Sequence, residues 1–242
     1  MDYGCGGLVA LITGGTSGIG RACAELLLQD GAQVFVLARH ERAVSAVMGH
    51  FSQARFVFCD VTDEESVRKA VVEVKNLVGH VDILINSAGV YQEQRLETLT
   101  GADYDLVMNT NVKGTVLMCR EVVSLMNGGC IVNVASDAGV RGNYGCALYS
   151  ASKGAVVAFT RSLALDLAPA VRVNCVCPAD VDTPLMQRQC EQGHYTREEC
   201  ATVYPLGRIG RPEEIAHVIC SMVSPANSFM TGSVVSVDGG LG

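Results

Sequence analysis

Blocks of basic charge are missing from this sequence. Charged residues make up 18% of the 242, the net charge is -7, and Lys and Arg never cluster. A polyanionic partner, whether nucleic acid or an anionic membrane surface, is therefore excluded. Long apolar runs are missing too: none nears the ~18 residues that a membrane span needs. Residues 1–10 hold no basic stretch leading into an apolar one, so no secretory signal is expected. No C-x-x-C occurs among the eleven cysteines, and the five histidines (His40, His50, His80, His194 and His217) are scattered. No zinc-type spacing results, and no metal is assigned.

What is present is apolar. Hydrophobic residues make up 49% of the chain, enough for a substantial core and too many for disorder. Most cysteines sit inside apolar runs, as Cys23, Cys59, Cys119 and Cys220 do, and Cys175 and Cys177 share one face of a strand-like run. Free thiols used as small core residues imply a reducing, cytoplasmic setting.

Short continuous apolar runs alternate with helical periodicity from end to end. Strands are expected at Leu8–Thr13, Gln33–Ala38, Arg55–Cys59, Val81–Ile85, Cys130–Ala135, Val171–Cys177 and Val234–Val237. Helices are expected over Gly18–Asp30, Glu41–Gly49, from the N-cap Asp63 to Val78, over Ala102–Met126, from Tyr149 to Ala168, and from Pro212 onward. This alternation predicts an α/β fold: a doubly wound, Rossmann-like parallel sheet with helices on both faces. No linker or repeat interrupts it, so residues 1–242 read as a single domain. In such sheets ligands lie at the carboxyl ends of the strands, where strand order reverses.

The residues that carry chemistry fall at those ends. Thr13-Gly14-Gly15-Thr16-Ser17-Gly18-Ile19-Gly20 lies between the first strand and the first helix. Its glycines let the backbone approach a pyrophosphate, and the helix N-terminus offers free N–H groups and a positive dipole end. Arg39 stands nineteen residues after Gly20. A guanidinium there suits a ribose 2′-phosphate, which favours NADP over NAD. Asp60 and Val61 follow the third strand, and Asn86-Ser87-Ala88-Gly89 follows the fourth. The Asp60 carboxylate is placed either to accept from an adenine amino group or to cap the next helix. Asn111, in the middle of the long helix, is a poor helix residue and predicts a local break there, which would free a backbone carbonyl to hold water near Lys153.

Ser136 ends the fifth strand, thirteen residues before Tyr149. Tyr149 and Lys153 stand one turn apart on a helix that Ala151, Ala155, Phe159, Leu163 and Leu167 mark by recurring at four-residue intervals. A phenol titrates near ~10, and a cation beside it brings that value toward neutral pH. The pair reads as a general acid/base. Val181 and Thr183, after the sixth strand, are placed to pair with a carboxamide.

With these residues assembled, the chain resembles the short-chain dehydrogenase/reductase family over essentially its whole length. The segments Pro205–Ala216 and Thr231–Gly240 are similar to its 3-oxoacyl-carrier-protein reductase-like members. The resemblance implies Tyr149 as catalytic acid/base, Lys153 lowering its pKa and holding the nicotinamide ribose, Ser136 orienting and polarising the substrate carbonyl, and Asn111 sustaining a proton relay through water. It implies Gly14, Ser17, Gly18, Ile19 and Gly20 at the pyrophosphate, Asp60 and Val61 at the adenine, Asn86 at its ribose, and Val181 and Thr183 at the carboxamide. Ala179 stands where Gly is usual after Pro178, and Ser87 where Asn is usual. The implied substrate is a small carbonyl compound or alcohol, with NADP or NAD as cofactor. Residues 178–211 are polar and rich in turn residues, and 184–211 are expected to form a substrate lid, with Met186, Tyr195 and Tyr204, and also Tyr91 and Tyr144, as contacts. Helices 102–126 and 149–168 are apolar nearly all round. That pattern needs burial on two sides, and the resemblance implies a homotetramer.

Overall fold

Both-face burial turns the short apolar runs into strands. β1 (Val9–Thr13) and β4 (Ile83–Asn86) are buried along their whole length. β2 (Gln33–Ala38), β3 (Ala54–Phe58), β5 (Cys130–Val134), β6 (Arg172–Pro178) and β7 (Val234–Val237) complete one sheet. This computed structural model describes residues 2–40, 54–193 and 195–242. The helix expected over 41–49 lies outside the described residues.

All seven strands run parallel, in the order β3-β2-β1-β4-β5-β6-β7. Side chains alternate across the sheet. Ala10 and Ile12 face α1 (Gly18–Gln29), while Val9 and Leu11 face α2 (Glu64–Val78) on the other side. The doubly wound fold read from the sequence is therefore the observed one. β1 has β2 on one side and β4 on the other, so the chain changes direction there. The crevice that this opens, above Thr13 and Asn86, positions the site.

Local chemistry sets the helix ends. Asp63 caps α2 by accepting the Glu65 N–H at 3.1 Å. The long helix expected over 102–126 is three pieces: α3 (Gly101–Met108), a π turn (Asn109–Lys113) and α4 (Gly114–Val123). The break expected at Asn111 is that π turn. α5 (Ala138–Arg141) is a single turn with no sequence signal beforehand. α6 (Ala147–Leu167) carries Tyr149 in its first turn. Two further helices, α7 (Pro184–Gly193) and α8 (Arg197–Ala201), occupy the stretch read as turns. α9 (Pro212–Val223) starts on its proline and packs against α1. No helix among the described residues is long and apolar enough to cross a membrane.

Candidate active site

The β1 and β4 turns are tied together first. Thr13 Oγ1 accepts from the backbone N–H groups of Ser87 and Ala88, at 3.1 Å each. Gly14 then passes so close that a Cβ on it would lie 2.9 Å from the Ala88 backbone, and its φ is +66°. A Cβ on Gly20 would meet the Gly14 carbonyl at 2.6 Å. The glycines are thus needed for the turn to close on itself. No side chain caps α1 at Ser17, so its first N–H groups face the crevice uncovered.

A cleft of about 200 Å³ opens at this end of the sheet. Gly14, Ser17, Gly18 and Ile19 line it together with Val181 and Thr183 and with Ser136, Tyr149 and Lys153. Gly18 lies against Thr183: a Cβ there would come within 3.0 Å of the threonine methyl. Thr183 Oγ1 also accepts the Met186 N–H at 3.2 Å, fixing the start of α7.

Tyr149 and Lys153 are both buried, at 7% and 6% exposure. Lys153 Nζ sits 5.9 Å from the centre of the phenol ring and donates to the Val134 carbonyl at 3.0 Å. The tyrosine ring meets Tyr91 edge-on, with centroids 4.9 Å apart. Burial, rather than the lysine, governs the direction of the phenol's shift. Burial pushes the Tyr149 pKa up, and the group that opposes this is the Ser136 hydroxyl. Asp137 and Asp180 add to the rise. Burial also pulls the Lys153 ammonium down to about 8. Both groups are held toward their neutral forms, as a poorly solvated cleft demands.

Ser136 Oγ also donates to Asp137 Oδ1 at 2.9 Å and accepts the Ala138 N–H at 3.2 Å. Asp137 is held in turn by Arg141 Nε at 3.2 Å. The serine hydroxyl thus stands between this carboxylate and the Tyr149 phenol.

Asn111 works through its side chain. Its Oδ1 accepts the Val90 N–H at 2.9 Å, and its Nδ2 donates to the Val90 carbonyl and to Ser152 Oγ, both at 3.0 Å. These bonds bind the loop after β4 to α6. Its own carbonyl, expected to be free, accepts the Thr115 hydroxyl at 2.9 Å.

Other expected residues lie off the cleft wall. The Asn86 side chain turns inward, donating to Asn133 Oδ1 at 2.9 Å, so the expected ribose contact has no side-chain atom behind it. Asp60 Oδ1 accepts from the Thr62 N–H and hydroxyl at 3.0 and 2.8 Å, which orders the turn into α2. Burial pushes the Asp60 pKa up, but these bonds and the charge of Arg39 outweigh it and hold the carboxyl low. Arg39 is exposed nearby, and Val61 is buried against Gly114. Among the expected substrate contacts, Met186 and Tyr91 line the cleft. Tyr195 instead reaches Glu93 at 3.3 Å, Tyr204 lines a neighbouring cavity, and Tyr144 is 86% exposed. Sequence reasoning passed over Asp137, Asp180 and Gln189, which also line the cleft. Asp137 and Asp180 sit beside residues already singled out, and an acidic side chain directly after a strand end was the signal available.

A family model described as enoyl-(acyl carrier protein) reductase matches residues 14–242. The 3-oxoacyl-[acyl-carrier-protein] reductase of Thermotoga maritima is 37% identical over 97% of this chain and 98% of its own length. Among solved structures, a short-chain dehydrogenase/reductase from Brucella melitensis, titled a glucose/ribitol dehydrogenase, superposes with a TM-score of 0.93 at 32% identity, covering 100% of this chain and 99% of that one. An actinorhodin polyketide ketoreductase with NADPH superposes at 0.92 with 32% identity, covering 98% and 97%.

Proposed function

The chain belongs to the short-chain dehydrogenase/reductase family, and from that premise we propose that it is an NADP-preferring oxidoreductase that interconverts a carbonyl group and a secondary alcohol, with Tyr149 as acid/base. The observation that carries this reading is the convergence of Tyr149, Lys153 and Ser136 in one cleft with the glycine turn and the uncovered N-terminus of α1.

The residues present fit a dinucleotide. The self-closed glycine turn leaves backbone where a Cβ would collide, and free N–H groups suit a pyrophosphate. Gly14, Ser17, Gly18, Ile19 and Gly20 would hold it, Val181 and Thr183 would meet the carboxamide, and Lys153 the nicotinamide ribose. We assign Asp60 and Val61 to the adenine end, Asn86 to its ribose through backbone alone, and Arg39 to a 2′-phosphate. When bound, the dinucleotide supplies the hydride. The protein's own part is to hold the carbonyl oxygen against the Tyr149 hydroxyl and give it the proton. Burial keeps the phenol protonated, which is the form a proton donor needs. Asn111 keeps the cleft wall in place by tying Val90 to α6.

Residues 184–211 act as a lid: α7 brings Met186 and Gln189 to the cleft wall, and Tyr195 bonds the rim at Glu93. The free thiols fit a cytoplasmic setting. The family resemblance points to a homotetramer, and Leu165 and Phe229, 81% and 104% exposed, are apolar residues that its contacts would cover.

The test is loss of NADPH absorbance with a panel of ketones and aldehydes. The wild type should turn over at least one of them, and Tyr149→Phe should lose about 10²–10⁴-fold in kcat while still binding NADPH. Unchanged kcat in Tyr149→Phe removes its role. No turnover of any carbonyl by the wild type favours a nucleotide-sensing protein instead.

A further inference from the structure

Asp180 follows β6 and lines the cleft with Ser136 and Tyr149. Burial pushes its carboxyl pKa up, and the Tyr204 and Gln189 side chains oppose the rise. The Gln189 Nε2 bond is long, at 3.4 Å. No cation among the described residues forms an ion pair with it: Arg141, whose charge also opposes the rise, is held by Asp137 at 3.2 Å, and Arg197 by Asp182 at 2.7 Å. An ionised carboxylate has about four acceptor positions. Two neutral donors leave part of that capacity facing the cleft.

This part of the wall therefore offers an acceptor and asks the ligand for a donor. Arg188 lines the same cleft, and its charge disfavours an ammonium there. A neutral hydroxyl meets both demands.

We propose that Asp180 is a specificity-determining residue and that the substrate is a hydroxylated carbonyl compound, an α-hydroxy ketone or in reverse a vicinal diol, whose neighbouring hydroxyl donates to the Asp180 carboxylate. The proposal rests on the oxidoreductase reading of this site. In reduction the carbonyl carbon gains the hydride and its oxygen gains the Tyr149 proton, while the neighbouring hydroxyl keeps its own. Nothing beyond the reduced cofactor is consumed.

The experiment compares kcat/KM for 3-hydroxybutan-2-one, butan-2-one and 3-aminobutan-2-one with NADPH, in the wild type and in Asp180→Ala. A site built to bond a hydroxyl rejects the analogue lacking it, because its own polar groups are left unpaired. The wild type should prefer the hydroxy ketone over butan-2-one by about tenfold or more, and over the amino ketone. In Asp180→Ala the first ratio should fall to within about twofold of unity. The proposal is overturned if the wild type treats the hydroxy and plain ketones alike, if the amino ketone is the best of the three, or if Asp180→Ala keeps the full ratio. The wild-type ratio needs no variant to fold. Turnover without the preference sinks this inference alone, whereas no turnover of any carbonyl sinks the functional reading beneath it.

Discussion

Lys153 places an ammonium in a buried cleft, and the cost of doing so is measurable at that residue. Its pKa falls from 10.5 to about 8 because burial disfavours the charge. Between those two values the unfolded chain binds the extra proton and the folded chain does not, so this residue makes stability rise with pH across that window. Lys153→Met removes the titration. The stability of the variant relative to wild type should therefore fall by roughly 2–3 kcal/mol between about pH 7 and 10.5, at ~1.4 kcal/mol per pKa unit. Urea unfolding at several pH values reads this, and a difference flat with pH would mean that the amine is not desolvated. Arg39 tests the other end of the site. It is exposed and its charge reaches Asp60. Arg39→Asp exchanges a guanidinium suited to a 2′-phosphate for an acid suited to a ribose hydroxyl. A charge-assisted bond of about 1.5–3 kcal/mol corresponds to roughly ten- to hundredfold. The NADPH/NADH ratio of kcat/KM should drop by that factor, and an unmoved ratio would remove Arg39 from the cofactor.

At the scale of elements, the π turn is where local preference and function meet. Asn111 takes one donor and one acceptor bond to Val90 and a third bond to Ser152. Asn111→Ala leaves the half-buried Val90 N–H and carbonyl without partners. A loss of about 1–3 kcal/mol is expected on urea unfolding. The wall of the cleft loosens with it, so KM for the carbonyl should rise. Stability within a few tenths of wild type would show that water replaces the amide. This break was legible in the sequence, because asparagine competes for backbone bonds inside a helix. So were the seven strands, whose ends moved by at most two residues: Val81 and Asp82 read as the start of β4 but lie just before Ile83. α7 and α8 were not legible. Pro184, Gln187, Arg188 and Gln189 give α7 no clean apolar stripe, and it is held by the Thr183 cap and by Met186 packing down into the cleft. Tertiary contact chose helix where local composition pointed to turns. The site divided in the same way. Glycine turns and the Tyr149–Lys153 spacing follow from backbone geometry and can be read. The inward turn of Asn86 and the hydrogen bond of Ser136 to Asp137 depend on neighbours distant in sequence or on side-chain rotamers, which spacing does not encode.

At the scale of the whole molecule, the question is what covers the apolar surface that one chain leaves bare. Much of α4 and α6 is already used within the chain: Leu117, Met118, Val122, Val156 and Ala164 are buried. The expectation that both helices need a second partner is thus only partly met by their own residues. Leu165 remains 81% exposed, and Phe229 is fully so. The segment carrying Phe229 comes close to the helix carrying Leu165: Gly232, three residues beyond Phe229, lies against Ala164, with a Cβ there 3.7 Å from the alanine methyl. Apolar side chains that touch nothing in their own chain add little to its stability, and covering them contributes about 25 cal/mol per Å². The homotetramer proposed above should run in light scattering at about four times the 25.6 kDa of one chain. Leu165→Glu combined with Phe229→Glu would put two uncompensated charges into the shared face, and the mass should fall to that of a dimer or monomer. Because neither side chain is packed within the chain, circular dichroism of the variant should stay that of a folded α/β protein. A single-chain mass for the wild type ends the tetramer proposal, and an unchanged mass in the double variant moves the contact to another face of the molecule.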